Sequence, residues 1–181
     1  MNKTTAISLL VLGVFFGVDL GTENAVLVDL SRTQLVERNF AIAKTIKEEQ
    51  CLTEAIYYEA GNQGELGKEA VALVILNRVG TPRRPKTICG VTRQAMIVKE
   101  RMICQFSFWC EDKRKPNAAR WKESQEIAHR VLTSFWHRAI ITQYQRAVYF
   151  HADYVKPRWR NTKVFLGKID NHLFYGEPHD D

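Results

Sequence analysis

Seven consecutive apolar residues, Ala70-Val-Ala-Leu-Val-Ile-Leu76, lie inside the segment Leu66 to Val79. The length of that segment favours a helix over a central strand, because strands end within about 4–8 residues and helices run past 10. A helix that is apolar on nearly all sides has to be covered on nearly all sides, so the rest of the chain must wrap around it. With 181 residues, 45% hydrophobic and 25% charged, the chain has enough material for one ordinary domain around such a core. The same balance excludes a disordered chain and a fibre, and no internal repeat points to a solenoid.

The covering elements can be read in outline. Ser31-x-x-Gln34 has the form of a capping box, and the stretch to about Gln50 sets Leu35, Val36, Phe40, Ile42, Ala43 and Ile46 among charges, as in a surface helix. A second helix is expected from Cys51 to Ala60, closed by Gly61 in a left-handed cap. Thr81–Pro85 reads as a loop, and Thr87 to Met96 fits a short strand or a helix equally well. Asn117 can cap an amphipathic helix to about His137 with Ala128, Val131, Leu132 and Phe135 on one face. Short strand-like runs at Ala147–Phe150 and Lys163–Tyr175, broken by Pro157, Gly167 and Asp170-Asn171, predict a small antiparallel sheet near the C-terminus. The fold class is α+β with helices dominant.

Three regions follow: 1–25, 26–50 as an N-terminal helical extension, and 51–181 as the main domain. Lys3 precedes the apolar run Ala6–Val18, which has the basic start and apolar stretch of a secretory signal. That run is too short to span a bilayer comfortably. The nearest small-x-small triplet, Glu23-Asn24-Ala25, has Glu at its outer position, so an uncut signal anchor holding the domain to the outer face of the inner membrane is as well supported as a cleaved peptide. The alternative is a buried N-terminal helix. Four cysteines, Cys51, Cys89, Cys104 and Cys110, suit the same exported, periplasmic setting, where an even count implies disulfides. Cys104 and Cys110 flank a short loop and are the easiest pair, which leaves Cys51 with Cys89, although spacing alone allows three pairings. Zinc spacing is absent, so no metal is expected. A net charge of +6 and a pI of about 9.2 favour an anionic partner such as nucleic acid, anionic lipid or wall polymer. The basic residues are dispersed and no nucleic-acid-binding signature uses them, so nucleic acid is not the expected partner.

One acid sits in an unusual place. Leu52, Ala55 and Ile56 fall at i, i+3 and i+4 on the helix from Cys51, and Glu59 follows at i+7 near the middle of the same apolar stripe. Burial and the negative end of the helix dipole both disfavour its ionised form and raise its pKa, which suits a general acid. The competing reading is a glutamate half-exposed at the last turn or paired to a cation such as Arg78. Glu54 lies on the opposite face, in solvent. Tyr57 and Tyr58 flank the acid, either as sugar-stacking rings or as packing. Gln105, Phe106 and Ser107 stand in a loop of unusual polar and aromatic composition, Cys104 to Cys110, where Gln105 and Ser107 can hydrogen-bond a ligand. His151, Tyr154 and Trp159, and then His172 and Tyr175, form late aromatic and histidine clusters that fit either a core or a groove.

Taken in order, Glu54-Ala-Ile-Tyr-Tyr-Glu-Ala60, Ala70–Val79, Thr87-Ile-Cys-Gly-Val91, Cys104-Gln-Phe-Ser107, Tyr149-Phe-His-Ala152 with Pro157 and Trp159, and His172-Leu-Phe-Tyr175 resemble the bacterial cell-wall hydrolases typified by the spore cortex-lytic enzymes SleB and CwlJ. The resemblance spans about residues 50 to 176. It implies a lysozyme-like domain that cuts peptidoglycan glycan strands between N-acetylmuramic acid and N-acetylglucosamine, often as a lytic transglycosylase and without a cofactor. The acid of the family's Tyr-x-Glu-Ala motif falls on Glu59, and Tyr58, Gln105, Phe106, Ser107, His151, Tyr154, Trp159, His172 and Tyr175 become candidates for substrate binding. Relatives often read Glu-Ala-Arg-Gly-Glu where this chain has Glu59-Ala-Gly-Asn-Gln63. A single convincing acid favours the anhydro-forming reaction over hydrolysis, which needs two carboxylates; Asp153 or Glu65 would supply the second if the fold brought either close. Small size and an export signal suit a lysis enzyme of the phage endolysin kind.

Overall fold

The structure is a computed structural model that describes residues 20–111, 115–134 and 144–178, with side chains from residue 34 onward. The apolar segment Ala6–Val18 lies outside these residues, as do Lys113, Arg114, Phe135 and His137. Among the described residues no helix is long and apolar enough to cross a membrane. Contacts divide the chain into one unit ending at Ala41 and another beginning at Ile42.

Helix α1 runs without a break from Leu20 to Ala60. The two helices expected over Ser31–Gln50 and Cys51–Ala60 are therefore one, and Ser31 with Gln34 lies in its interior, where no free N-terminus needs a cap. The reason is local: Lys47-Glu48-Glu49-Gln50 contains only good helix formers, so nothing interrupts the hydrogen-bond ladder before Cys51. The helix stops at Ala60, with the Gln63 amide donating to the Ala60 carbonyl at 2.9 Å. Gly61 is not in the left-handed conformation expected of it. A Cβ at Gly61 would instead lie 2.3 Å from the Tyr57 carbonyl oxygen, so its missing side chain lets the chain turn tightly away from the last turn of α1.

Helix α2, Glu65–Gly80, is the expected core helix, with every residue from Gly67 to Ile75 buried. It is packed on α3 (Ile88–Thr92), on α4 (Ala118–Thr133) and on one side of a sheet. Leu52, Ala55 and Ile56 of α1 are fully buried in the same cluster with Val71, Val74 and Ile75. The ambiguous segment from Thr87 divides: Thr87 Oγ1 caps α3 by accepting from the Gly90 amide at 3.0 Å, and a strand follows. Asn117 caps α4 as its sequence predicts, its Oδ1 accepting from the Arg120 amide at 3.1 Å.

Strands β1 (Ala95–Val98) and β2 (Arg101–Cys104) form an antiparallel hairpin closed by Lys99 and Glu100, both at positive φ (49° and 64°). Hairpin turns of this twist are signalled by Asn-Gly or Asp-Gly, so Lys-Glu gave no warning of one. The expected C-terminal sheet is three-stranded and antiparallel, in the order β3 (Tyr149–Ala152), β5 (His172–Gly176), β4 (Val164–Ile169). Its register pairs Phe150 with Phe174 on one face and Tyr149 with Tyr175 on the other.

Candidate active site

Glu59 stands on the buried stripe of α1 that the helical period assigns to it, half-buried itself while Leu52, Ala55 and Ile56 before it are sealed. Burial pushes its carboxyl up from the ordinary value to about 7; the Arg78 guanidinium pulls it part of the way back, and Glu111 pushes it up again. No hydrogen bond or ion pair within 4 Å holds the carboxyl to any described residue. At neutral pH such a group is divided between its protonated and ionised forms, as a proton donor that must also take a proton back requires.

Arg78 is itself buried, and two contacts fix it. Its Nε donates to the Val148 carbonyl at 2.7 Å, and its guanidinium lies over the Phe106 ring, 5.1 Å from the centroid. One guanidinium nitrogen, Nη1, is buried without a hydrogen-bond partner. Burial lowers the arginine to about 10, which still leaves it charged at neutral pH. It therefore acts on Glu59 as a fixed positive field rather than as a hydrogen-bonded mate.

The loop after β2 forms the other wall. The structure joins Cys104 to Cys110 and Cys51 to Cys89, the pairing that loop length suggests. The smaller ring holds Phe106 and Phe108 inward, and Tyr58 stacks on Phe108 at 5.3 Å with planes 15° apart. Gln105 and Ser107 alternate with them and are exposed. Glu111 leaves this loop one residue past Cys110, which brings its charge to bear on Glu59. Sequence reasoning missed Glu111, since it is an ordinary loop acid until the disulfide loop folds back onto the end of α1.

The loop Gly61–Gly64 is docked on the β4–β5 turn. Gln63 is buried, its Oε1 accepting from the Asn171 amide at 3.1 Å and its Nε2 donating to Asn62 at 2.8 Å. Asp170 accepts from the Gly64 amide at 2.8 Å, at the positive end of α2. A Cβ on Gly67 would come within 2.7 Å of Asp170 Oδ2, so this close approach needs glycine there. The oxygen by which Gln63 accepts is one that a glutamate would also offer, so the departure at this position keeps the loop anchor and gives up only a charge.

The remaining candidates separate by depth. Tyr58 lies at the Glu59 end of α1, while Gln105 lines a pocket with Gln94, Ala95, Met96, Ile103 and Cys104, and Ser107 is exposed on the disulfide loop. Phe106 is 2% exposed, and its ring is part of the core. His151 (8%), His172 (6%) and Tyr175 (5%) are buried as well and cannot present their faces to a ligand. His151 Nδ1 bonds the Ala152 carbonyl at 2.8 Å and its Nε2 meets the Tyr175 hydroxyl at 3.1 Å, while Trp159 covers both rings edge-on. His172 lies on the opposite sheet face between Phe150 and Phe174, where burial holds its pKa down. Tyr154 is 82% exposed. Of the expected second carboxylates, Asp153 is paired to Lys168 at 2.8 Å and Glu65 to Arg130, so neither is presented to Glu59. Among the described residues no group of histidine, cysteine and carboxylate side chains can hold a metal ion.

Residues 62–175 match the cell wall hydrolase family. This chain belongs to that family. The hydrolase is also similar to solved structures: the catalytic domain of the germination-specific lytic transglycosylase SleB from Bacillus anthracis (24% identity, 71% of this chain and 93% of that one, TM-score 0.53) and the catalytic domain of the Bacillus cereus SleB protein (25% identity, 71% and 88%, TM-score 0.48). The first likeness establishes the helix-dominated α+β fold. No curated protein matches the hydrolase. The family match begins at Asn62, three residues beyond Glu59, so the case for Glu59 stands on its burial and its surroundings. Two disulfides in a cell wall enzyme place the hydrolase outside the reducing cytosol.

Proposed function

We propose that the hydrolase cuts the glycan strands of peptidoglycan between N-acetylmuramic acid and N-acetylglucosamine as a lytic transglycosylase, with Glu59 as both acid and base. One observation carries this reading: a single carboxyl, desolvated and unpartnered, with a pKa of about 7 at the edge of the core. The protonated Glu59 gives its proton to the glycosidic oxygen as the bond from that oxygen to the anomeric carbon breaks. The carboxylate so formed then takes the proton of the muramic C6 hydroxyl while that oxygen bonds the anomeric carbon, which closes a 1,6-anhydro ring. No water is consumed, and Glu59 ends protonated as it began. Between the two steps its negative charge lies in a poorly solvated site, where the fixed Arg78 guanidinium favours it. Tyr58, Gln105 and Ser107 are the residues proposed to contact sugar, Tyr58 from beside Glu59 and the other two from the exposed face of the disulfide loop. The B. anthracis neighbour, a germination-specific lytic transglycosylase, lends support. The working place is the periplasm or the outer face of the inner membrane, held there by the N-terminal apolar segment, and a lysis role of the phage kind suits such an enzyme.

Glu111 favours a second reading, hydrolysis of the same bond, because it is a second carboxylate whose charge acts on Glu59. Mass spectrometry of fragments released from purified peptidoglycan by the oxidised protein separates the two. Anhydro-muropeptides support the transglycosylase; reducing-end sugars, abolished by Glu111→Gln, support the muramidase.

A further inference from the structure

On the side of α1 turned away from Glu59, α1 and α4 border a cleft of about 260 Å³ lined by Ile46, Glu49, Gln50, Thr53, Trp121 and Gln125. We propose that this cleft is a second carbohydrate site, which holds an N-acetylglucosamine unit of the wall glycan apart from the point of cleavage. The choice of a sugar rests on the glycan reading of the enzyme and on the chemistry of the lining.

Trp121 is half-buried and offers a broad apolar face beside two exposed amides, Gln50 and Gln125, that bond no described group. A ring with a hydrogen-bonding rim is what the apolar face of a pyranose and its hydroxyl and acetamido groups require. The cleft has no lysine or arginine in its lining although the whole chain carries a net charge of +6, and its only charged side chain is Glu49, which faces His129 at 3.4 Å. An anionic ligand such as nucleic acid or a phosphate polymer is therefore disfavoured there, and a neutral sugar is not.

The cleft is also joined to the catalytic end of α1. Trp121 meets Tyr57 at 5.5 Å, Tyr57 meets Tyr58 edge-on at 5.0 Å, and Tyr58 stacks on Phe108 beside the disulfide loop. The Tyr57 hydroxyl accepts from the Asn117 amide at 2.8 Å, which ties the start of α4, and with it Trp121, to this row. Three half-buried rings thus run from Glu59 to the cleft. Along α1, at about 1.5 Å per residue, Thr53 and Ile46 lie about 9 and 20 Å before Glu59, so a strand several sugars long is needed to occupy both places.

The test reads binding without catalysis, in the Glu59→Gln protein, with tetra-N-acetylchitotetraose and with purified sacculi as probes. Trp121→Ala and the double variant Gln50→Ala/Gln125→Ala are each expected to weaken binding roughly tenfold, in line with the loss of a central contact. On the Glu59 background the same changes should raise KM for sacculi and leave kcat close to its parent value. Unchanged binding and KM in folded variants overturn the proposal; if Trp121→Ala fails to fold, the exposed glutamine pair decides alone. Loss of chitotetraose binding in these variants supports the second site even if Glu59→Gln still cleaves, a result that would sink the catalytic reading and not this one.

Discussion

Two regions of the hydrolase bury charge and treat it in opposite ways. At the seam between α2 and α4, Lys68 (3% exposed) meets Glu123 at 2.6 Å, and Glu69 (5% exposed) meets Arg130 at 2.9 Å, with Glu65 on the same guanidinium. Every charge there has a mate at contact distance. At the end of α1, Glu59 is desolvated with its nearest favourable charge held off by the Val148 carbonyl and the Phe106 ring. The paired charges fix how two helices meet; the unpaired one keeps a proton in play at neutral pH. Burial alone does not distinguish structural from chemical charge, and pairing does.

The largest effect expected is from Glu59→Gln, which keeps the shape and removes the proton. Activity on sacculi should fall by about 10²–10⁴-fold. The same variant should be more stable than the parent near neutral pH. Because the folded pKa lies above the usual value, the folded protein holds the extra proton between about pH 4.5 and 7, so the parent loses stability as pH rises through that window, by up to about 3 kcal/mol. Thermal melts of both proteins at pH 4 and pH 8 check this: the gap should open only at the higher pH, and equal melting temperatures at pH 8 would show that Glu59 is solvated.

Arg130→Met makes the complementary change, removing the guanidinium that Glu65 and Glu69 share. A loss of roughly 2–3 kcal/mol in denaturant unfolding is expected, with activity per folded molecule unchanged. A fall in activity without a fall in stability would erase the contrast between the regions.

Smaller effects appear in the pH profile. Activity that needs protonated Glu59 declines above about pH 7. Removing the Arg78 charge in Arg78→Met raises the glutamate's pKa further, so the alkaline limb of kcat/KM should move to higher pH, and Arg78→Lys should move it less. Glu111→Gln takes away a repulsive charge and should move the limb to lower pH by a lesser amount, since Glu111 acts on Glu59 more weakly than Arg78 does. An unmoved limb in Arg78→Met would reduce that arginine to a brace for Val148.

Much of this was legible in the chain itself. The apolar run at Ala70 announced α2, Asn117 announced α4, and the period of Leu52, Ala55 and Ile56 placed Glu59 on a buried face, because each of these depends on residues within a few turns of one another. The hairpin at Lys99-Glu100 was hidden by turn residues that carry no turn signal, and the continuity of α1 was hidden by a capping pattern that occurs in a helix interior. His151, His172 and Tyr175 read equally as groove or core, since alternation along a strand does not say which sheet face the rest of the chain will cover. Sequence determined that an acid would be buried on α1. Only the tertiary structure decided that Arg78 stops short of it, that the charge of Glu111 acts on it and that Asp153 and Glu65 pair with Lys168 and Arg130 instead, because the distance between charges far apart in the chain is set by the packing of whole elements, to which helical period is blind.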